Sequence, residues 1–198
     1  MLYNFVHLIT SFIYTVFFKL EVIGLENVPA NGPVIIASNH ISNLDPPTIG
    51  TALKNRQMSF MAKAELFAIP VFGFVIRKLH AFPVKRGASD RTAIKTALDR
   101  LYAGGVLGIF PEGTRSKDGE LKKGVGGGVI SIAAKTNAAI VPAAVLGTNR
   151  LRLFAHLKVV FGEPFHVTKD VSNKDMLQEQ ADELMGKIRG LLKTNKKD

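Results

Sequence analysis

The stretch Val34-Ile35-Ile36-Ala37-Ser38-Asn39-His40-Ile41-Ser42-Asn43-Leu44-Asp45-Pro46-Pro47 decides how the rest of the chain is read. It opens with a short apolar run, Val34 to Ala37, which reads as a buried strand. It then turns polar at once. His40 and Asp45 stand five positions apart. On a helix that offset separates them around the axis, and on a strand it puts them on opposite faces. Only a chain that leaves the strand and folds back brings them together. Pro46 disfavours the α region at Asp45. Asp followed by Pro also reads as a helix start, with Asp45 as N-cap and Pro46 at the first position. A carboxylate fixed there still has an oxygen to offer His40. It would orient the imidazole and stabilise the imidazolium, with a substrate hydroxyl in the place of the serine of a Ser-His-Asp triad. The plainer alternative is a helix cap beside an ordinary strand-end histidine, and the pair alone does not choose between them.

The same pattern, an apolar strand running straight into a polar group, occurs twice more. Ala81-Phe82-Pro83-Val84 leads into Lys85-Arg86-Gly87, and Val106 to Phe110 leads into Pro111-Glu112-Gly113-Thr114-Arg115-Ser116. Leu20 to Ile23, Met58 to Ala62, Ala139 to Val145 and Leu157 to Phe161 also read as strands. Helical stretches lie between. One runs from Arg91 to Tyr102, with Ser89 as N-cap, Ile94, Leu98 and Leu101 as its apolar face, and Gly104-Gly105 as its stop. Another ends near Thr136. The last runs from about Ser172 to Leu192, with Leu177, Ala181, Leu184, Ile188 and Leu191 on one stripe. Pro70 splits Lys63 to Lys78 into two short helical pieces, which line an acyl pocket, lie on a bilayer or form plain core.

This alternation predicts an α/β domain with a mostly parallel central sheet flanked by helices. Ligands of such sheets bind beyond the carboxyl ends of the strands. With the strands parallel, all three polar groups share one edge. His40 and Asp45 then face Lys85 or Arg86 and the loop from Glu112 to Ser116. Arg115 and Arg86 have the planar fork that grips a phosphate, and the Gly113-Thr114 backbone N–H groups can join them. Each arginine taken singly reads equally well as a surface salt bridge. The glycine run at 124–128 reads as close packing or a flexible link before it reads as an anion site.

A chain of 198 residues suffices for one domain with a full core. The absence of cysteine excludes disulfides, thiolate metal sites and a cysteine nucleophile, and fits a reducing compartment. The histidines, at 7, 40, 80, 156 and 166, are not at metal-ligand spacing, so no metal is expected. A net charge of +10 calls for an acidic partner: anionic lipid, nucleic acid, a phosphorylated substrate or an acidic carrier protein. Leu2 to Phe18 carries no charge and lacks the basic region and cleavage site of a secretory signal. Residues 1–19 are therefore expected to form a membrane-associating helix ahead of a domain over 20–198, at the lower limit of ~17–25 residues for a span. A core helix is the alternative.

At this point the residues resemble the glycerolipid acyltransferases. His40 to Asp45 matches their HxxxxD motif, Phe82-Pro83-Val84-Lys85-Arg86 a second block, Phe110 to Ser116 a third, and Ile140-Val141-Pro142-Ala143 a fourth. HxxxxD alone is a weak signal, but four blocks in order make a specific one. The whole chain is similar to the bacterial 1-acyl-sn-glycerol-3-phosphate (lysophosphatidic acid) acyltransferase type. One departure is the extra glycine at 126–128, where related chains tend to be bulkier.

The resemblance implies that His40 deprotonates the free hydroxyl of a lysophospholipid and that Asp45 orients it. The hydroxyl attacks an acyl thioester in one step. Arg86, Glu112, Gly113, Thr114, Arg115 and Ser116 hold the glycerol phosphate, and the fourth block shapes the acyl side. It further implies no cofactor, with acyl-CoA or acyl carrier protein as co-substrate, and phosphatidic acid as product for phospholipid biosynthesis. The place of action is the cytoplasmic face of a bacterial cell membrane. Acylation of glycerol-3-phosphate or another lyso-lipid, and lipid binding without turnover, are the alternatives. A nucleic-acid binder of this charge would show a reading motif, and none is present.

Overall fold

The computed structural model describes residues 2–54, 56–85, 90–116, 121, 126–149, 154–168 and 173–195. The strands are β1 (Lys19–Ile23), β2 (Val34–Ser38), β3 (Met58–Lys63), β4 (Phe82–Val84), β5 (Val106–Ile109), β6 (Ala139–Leu146) and β7 (His156–Phe161). The α-helices are α1 (Leu2–Val16), α2 (Asp45–Ala52), α3 (Pro70–Lys78), α4 (Arg91–Tyr102), α5 (Gly127–Thr136) and α6 (Lys174–Asn195). One sheet holds all the strands, in the order β1-β7-β6-β2-β5-β3-β4. From β6 across to β4 every pairing is parallel. Strand β7 is antiparallel to β6, and β1 is parallel to β7. The expected α/β sheet, mostly parallel and flanked by helices, is the observed one.

The route of the chain places the site. From β2 it moves to one side to build β3 and β4, returns to insert β5 beside β2, and then crosses to β6 on the other side. The carboxyl end of β2 is therefore a point where the winding changes direction, and crevices open at such points. Strand β2 is buried on both faces. Ile35 and Ala37 pack into one core with residues of α4, α5 and α6, while Val34 and Ile36 pack into the other with residues of α2 and β7. Two apolar sets in a period-two element suit the centre of a parallel sheet.

Helix starts differ from expectation for local reasons. Asp90 caps α4, its side chain accepting from Ala93 N at 3.0 Å and from Lys85 N at 2.9 Å. Ser89 lies outside the described residues. The buried face of α4 is Ala93, Ala97 and Leu101, with Ile94 turned partly outward. Small side chains let the helix lie close to the sheet. Helix α6 begins at Lys174, where Asn173 Oδ1 accepts from Asp175 N at 2.9 Å, and Ser172 lies outside the described residues. Pro70 acts as expected, separating a 3₁₀ turn, Ala64–Ala68, from α3.

Helix α1 lies against α2 and β1 with its polar side chains inward. The Tyr3 hydroxyl accepts from Met58 N at 3.1 Å, and the Tyr14 hydroxyl lies 3.1 Å from Thr48 Oγ1 of α2. Burial pushes the Tyr14 phenol above its ordinary pKa, and the charge of Asp45 acts in the same direction. Phe5, Leu8 and Phe12 face outward, at 59%, 68% and 62% exposure. This is the reverse of a helix that turns its polar face to water. Among the described residues no helix is long and apolar enough to cross a membrane.

Candidate active site

Three adjacent strands, β5, β2 and β6, deliver the site. After β2 the chain breaks out of the sheet at Asn39, whose side-chain amide reaches β6. Its Nδ2 donates to Val145 O at 2.9 Å, and its Oδ1 accepts from Val145 N at 2.8 Å. A side chain here replaces a strand partner, so the backbone is free to turn while its departure point stays pinned. His40 follows. Its N donates to Glu112 Oε1 at 3.1 Å, and its carbonyl oxygen accepts from Ser116 N at 2.7 Å. Both ends of the His40 residue are thus held by the loop after β5.

The imidazole is fixed as firmly as the backbone. It stacks on Phe110 with centroids 4.1 Å apart and planes 16° apart, and Phe60 in turn stacks with Phe110 at 6.1 Å. The Phe60 ring occupies the space above Gly108, where a Cβ would lie 2.3 Å from it. Glycine at 108 is a packing requirement of this stack.

His40 Nδ1 lies 2.7 Å from Asp45 Oδ2. The same oxygen accepts from Ile41 N at 2.7 Å and Ser42 N at 2.8 Å, while Oδ1 accepts from Thr148 Oγ1 at 2.5 Å. Asp45 is fully buried, at 0% exposure. It is also the first residue of α2, with Leu44 as N-cap, and no side chain caps that helix. The expected capping role is therefore corrected. The two backbone N–H groups of the turn draw the carboxylate back over residues 40–42, toward His40, instead of forward onto the helix. A carboxylate offers only acceptors, so the proton of the contact sits on Nδ1. The other ring nitrogen, Nε2, is left with its lone pair and carries no hydrogen bond among the described residues.

His40 lines a cavity of about 660 Å³ between α1, α2, β3 and α3. Arg115, Tyr3 and Met58 also line it. The walls are largely apolar, with Phe60, Phe72 and Ile76 among them. Met58 pairs with Val106 at the start of β5, which in turn pairs with Val34, six residues before His40. The cavity thus runs down the sheet for roughly 20 Å at the rise of a strand.

Of the residues singled out in the sequence, His40, Asp45, Glu112 and Ser116 come together and are buried. Gly113, Thr114 and Arg115 form the exposed part of the same loop. Lys85 directly follows β4, three strands from β2 along the same edge, or roughly 14 Å at ordinary strand spacing. Arg86 lies outside the described residues. The fourth block is not part of the cavity wall: Ile140, Val141 and Ala143 are fully buried in β6 and divide between the two cores. Helices α1, α2 and α3 take that place. Phe110 sat inside a quoted motif without a role. Thr148 had no sequence signal at all, because nothing in its neighbours points to Asp45.

A family model described as Acyltransferase matches residues 19–146. The chain belongs to the acyltransferase family. The 1-acyl-sn-glycerol-3-phosphate acyltransferase of Bacillus subtilis is 35% identical to it over 178 residues, covering 87% of each chain. A chloroplastic 1-acyl-sn-glycerol-3-phosphate acyltransferase of Arabidopsis thaliana is 34% identical over 167 residues, 77% of this chain and 45% of that one. The crystal structure of the 1-acyl-sn-glycerophosphate (LPA) acyltransferase from Thermotoga maritima superposes with a TM-score of 0.77 at 26% identity, covering 99% of this chain and 80% of that chain. The geometry of the His-Asp pair excludes the plain helix cap.

Proposed function

We propose that this acyltransferase moves a fatty acyl group from a thioester to the free hydroxyl of 1-acyl-sn-glycerol-3-phosphate, giving phosphatidic acid. The observation that carries the reading is His40 itself: held through Nδ1 by a buried carboxylate, it lines a largely apolar cavity whose wall also includes Arg115. The acceptor hydroxyl gives its proton to Nε2 as its oxygen attacks the thioester carbonyl. The carbon–sulfur bond then breaks, and the proton passes from Nε2 to the leaving thiolate. Asp45 stabilises the imidazolium in between. No acyl-enzyme is needed and no cofactor takes part. Either coenzyme A or acyl carrier protein can bear the thioester. Purified enzyme in detergent, given each donor with lysophosphatidic acid, glycerol-3-phosphate and other lyso-lipids, tests the reading by mass spectrometry. Phosphatidic acid is the expected product; transfer only to a different acceptor would replace it.

Arg115, with Arg86, is assigned to the acceptor phosphate, and Gly113, Thr114, Glu112 and Ser116 to shaping that loop around it. Arg115→Lys keeps the charge and loses the planar fork. A charge-assisted hydrogen bond is worth roughly 1.5–3 kcal/mol, so kcat/KM for the phosphorylated acceptor should fall about ten- to hundredfold. Hydrolysis of the thioester by water uses no phosphate site and should change much less. Equal losses in both reactions would remove Arg115 from the phosphate site.

The surface α1 presents is assigned to the cytoplasmic face of an anionic bacterial membrane. At 15 residues the helix is about 22 Å long, short of the ~30 Å hydrocarbon core, so it lies in the interface. Val71 and Phe74 of α3, at 78% and 55% exposure, extend the apolar surface, and the net charge of +10 suits anionic lipid. Deleting residues 1–18 would also strip the cavity of a wall, so outward residues make the cleaner test. Leu8→Glu with Phe12→Glu should weaken partition into anionic vesicles roughly 10²- to 10⁴-fold, at about 1.5–3 kcal/mol per buried side chain. Turnover of a micellar acceptor should be retained. Unchanged co-sedimentation with vesicles would refute the anchor.

A further inference from the structure

Asp45 has a second oxygen that the His-Asp pair does not use. Oδ2 faces His40 and the turn, while Oδ1 points the other way, toward the end of β6. There it meets Thr148 Oγ1 in the shortest bond of the cluster, at 2.5 Å. Thr148 is 2% exposed and Asp45 is 0% exposed, so water does not reach this contact. The chain makes a special turn to provide it. Gly147 adopts φ 85°, and a Cβ there would lie 2.3 Å from the carbonyl oxygen of His156. Only glycine allows β6 to end in that bend and bring the next hydroxyl over the carboxylate.

A carboxylate with donors on one oxygen only is free to rock about its last torsion. His40 Nδ1, Ile41 N and Ser42 N all meet Oδ2, and Thr148 Oγ1 meets Oδ1, so holding both oxygens sets the plane. Removing the Thr148 hydroxyl would also leave a buried carboxylate oxygen without a donor.

We propose that Thr148 is a positioning residue for acyl transfer: its hydroxyl, delivered by the Gly147 turn, locks the plane of Asp45 so that Oδ2 holds His40 in the reacting orientation. This rests on the reading of His40 as the base. The role is new in kind for the β6 end, which otherwise belongs to the core. It also explains why the site is built from three neighbouring strands. Strand β2 brings the His-Asp pair, the loop after β5 holds the His40 backbone, and the turn after β6 holds the far oxygen of Asp45.

The test is a set of variants assayed for kcat and acceptor KM, with thermal unfolding followed in parallel. Thr148→Val keeps the shape and removes the donor. It should lower kcat about tenfold or more with acceptor KM unchanged, because the lost interaction matters only as charge develops on His40. Thr148→Ser restores the hydroxyl and should recover most of kcat. Thr148→Ala, with no misplaced methyl, should match the valine variant. In an Asp45→Ala background the valine change should cost less than twofold more, since Thr148 then has nothing to hold. Wild-type kcat in Thr148→Val and Thr148→Ala, beside a large loss in Asp45→Ala, would overturn the role of Thr148 and leave the base intact. Equal losses in Ser and Val, or a full further loss on top of Asp45→Ala, would make Thr148 a matter of stability alone. Near-normal turnover in Asp45→Ala would instead overturn the reading of the base.

Discussion

Replacing His40 by alanine should lower kcat for acyl transfer by roughly 10⁴-fold or more, leaving the fold and vesicle binding in place. The size follows from how much this one side chain does. In the proposed mechanism it takes the hydroxyl proton as attack begins and returns it to the leaving thiolate, and among the described residues no other histidine is held by Asp45. His7, the other histidine on the cavity wall among the described residues, belongs to α1 and bonds Ser11 Oγ through Nδ1 at 3.3 Å. The fold should tolerate the change because Asn39, Glu112 and Ser116 hold the backbone at this point, not the imidazole. Single-turnover assay of thioester consumption, with circular dichroism on the same sample, reads both parts. Turnover within tenfold of wild type would sink the mechanism.

Asp45 gives the second large effect, and the structure changes its expected size. In a Ser-His-Asp triad, Asp→Asn costs ~10⁴-fold because the amide sets the wrong imidazole tautomer. By sequence alone that figure carries over. Here Ile41 N and Ser42 N both donate to the oxygen that faces His40. Two donors at that point would keep the oxygen of an asparagine there, with its NH2 turned to Thr148, whose hydroxyl can rotate to accept. The tautomer survives and only the charge is lost. Asp45→Asn should therefore lose roughly 10²–10³-fold in kcat, short of the triad figure, while Asp45→Ala should approach 10⁴-fold. Steady-state kinetics on the two variants separates charge from orientation. Equal, large losses would mean that asparagine does flip, and that the turn does not control the amide.

Much of the architecture was legible in the chain itself. Apolar runs at β2, β5 and β6 are short, rich in β-branched residues and bounded by polar turns, and that pattern is local enough to read. So is the helix break at Pro70, because a fixed φ and a missing N–H act within the helix that would hold them. Having three polar groups end three strands was enough to place them on one edge once the strands were taken as parallel. His40, Asp45 and the loop from Glu112 to Ser116 followed from that edge.

What the sequence could not settle was every choice made by partners distant in the chain. Helix α4 starts on Asp90 because that carboxylate also reaches Lys85 N, which no local propensity records. Strands β7 and β1 run against the other five, and pairing direction is decided by which edge is free when they arrive. The apolar helix α1 carries a polar stripe, Tyr3, His7, Thr10 and Tyr14, that turns inward onto α2 and β3; only that docking fixes which face is left exposed. Asp45 reads as a helix cap by its neighbours and is turned away from that role by two backbone N–H groups and a hydroxyl 103 residues on. Residue types and their short-range spacing thus determined which chemistry the chain carries. The tertiary structure decided where each proton donor points, because a buried carboxylate takes its direction from whatever donors the fold brings within reach.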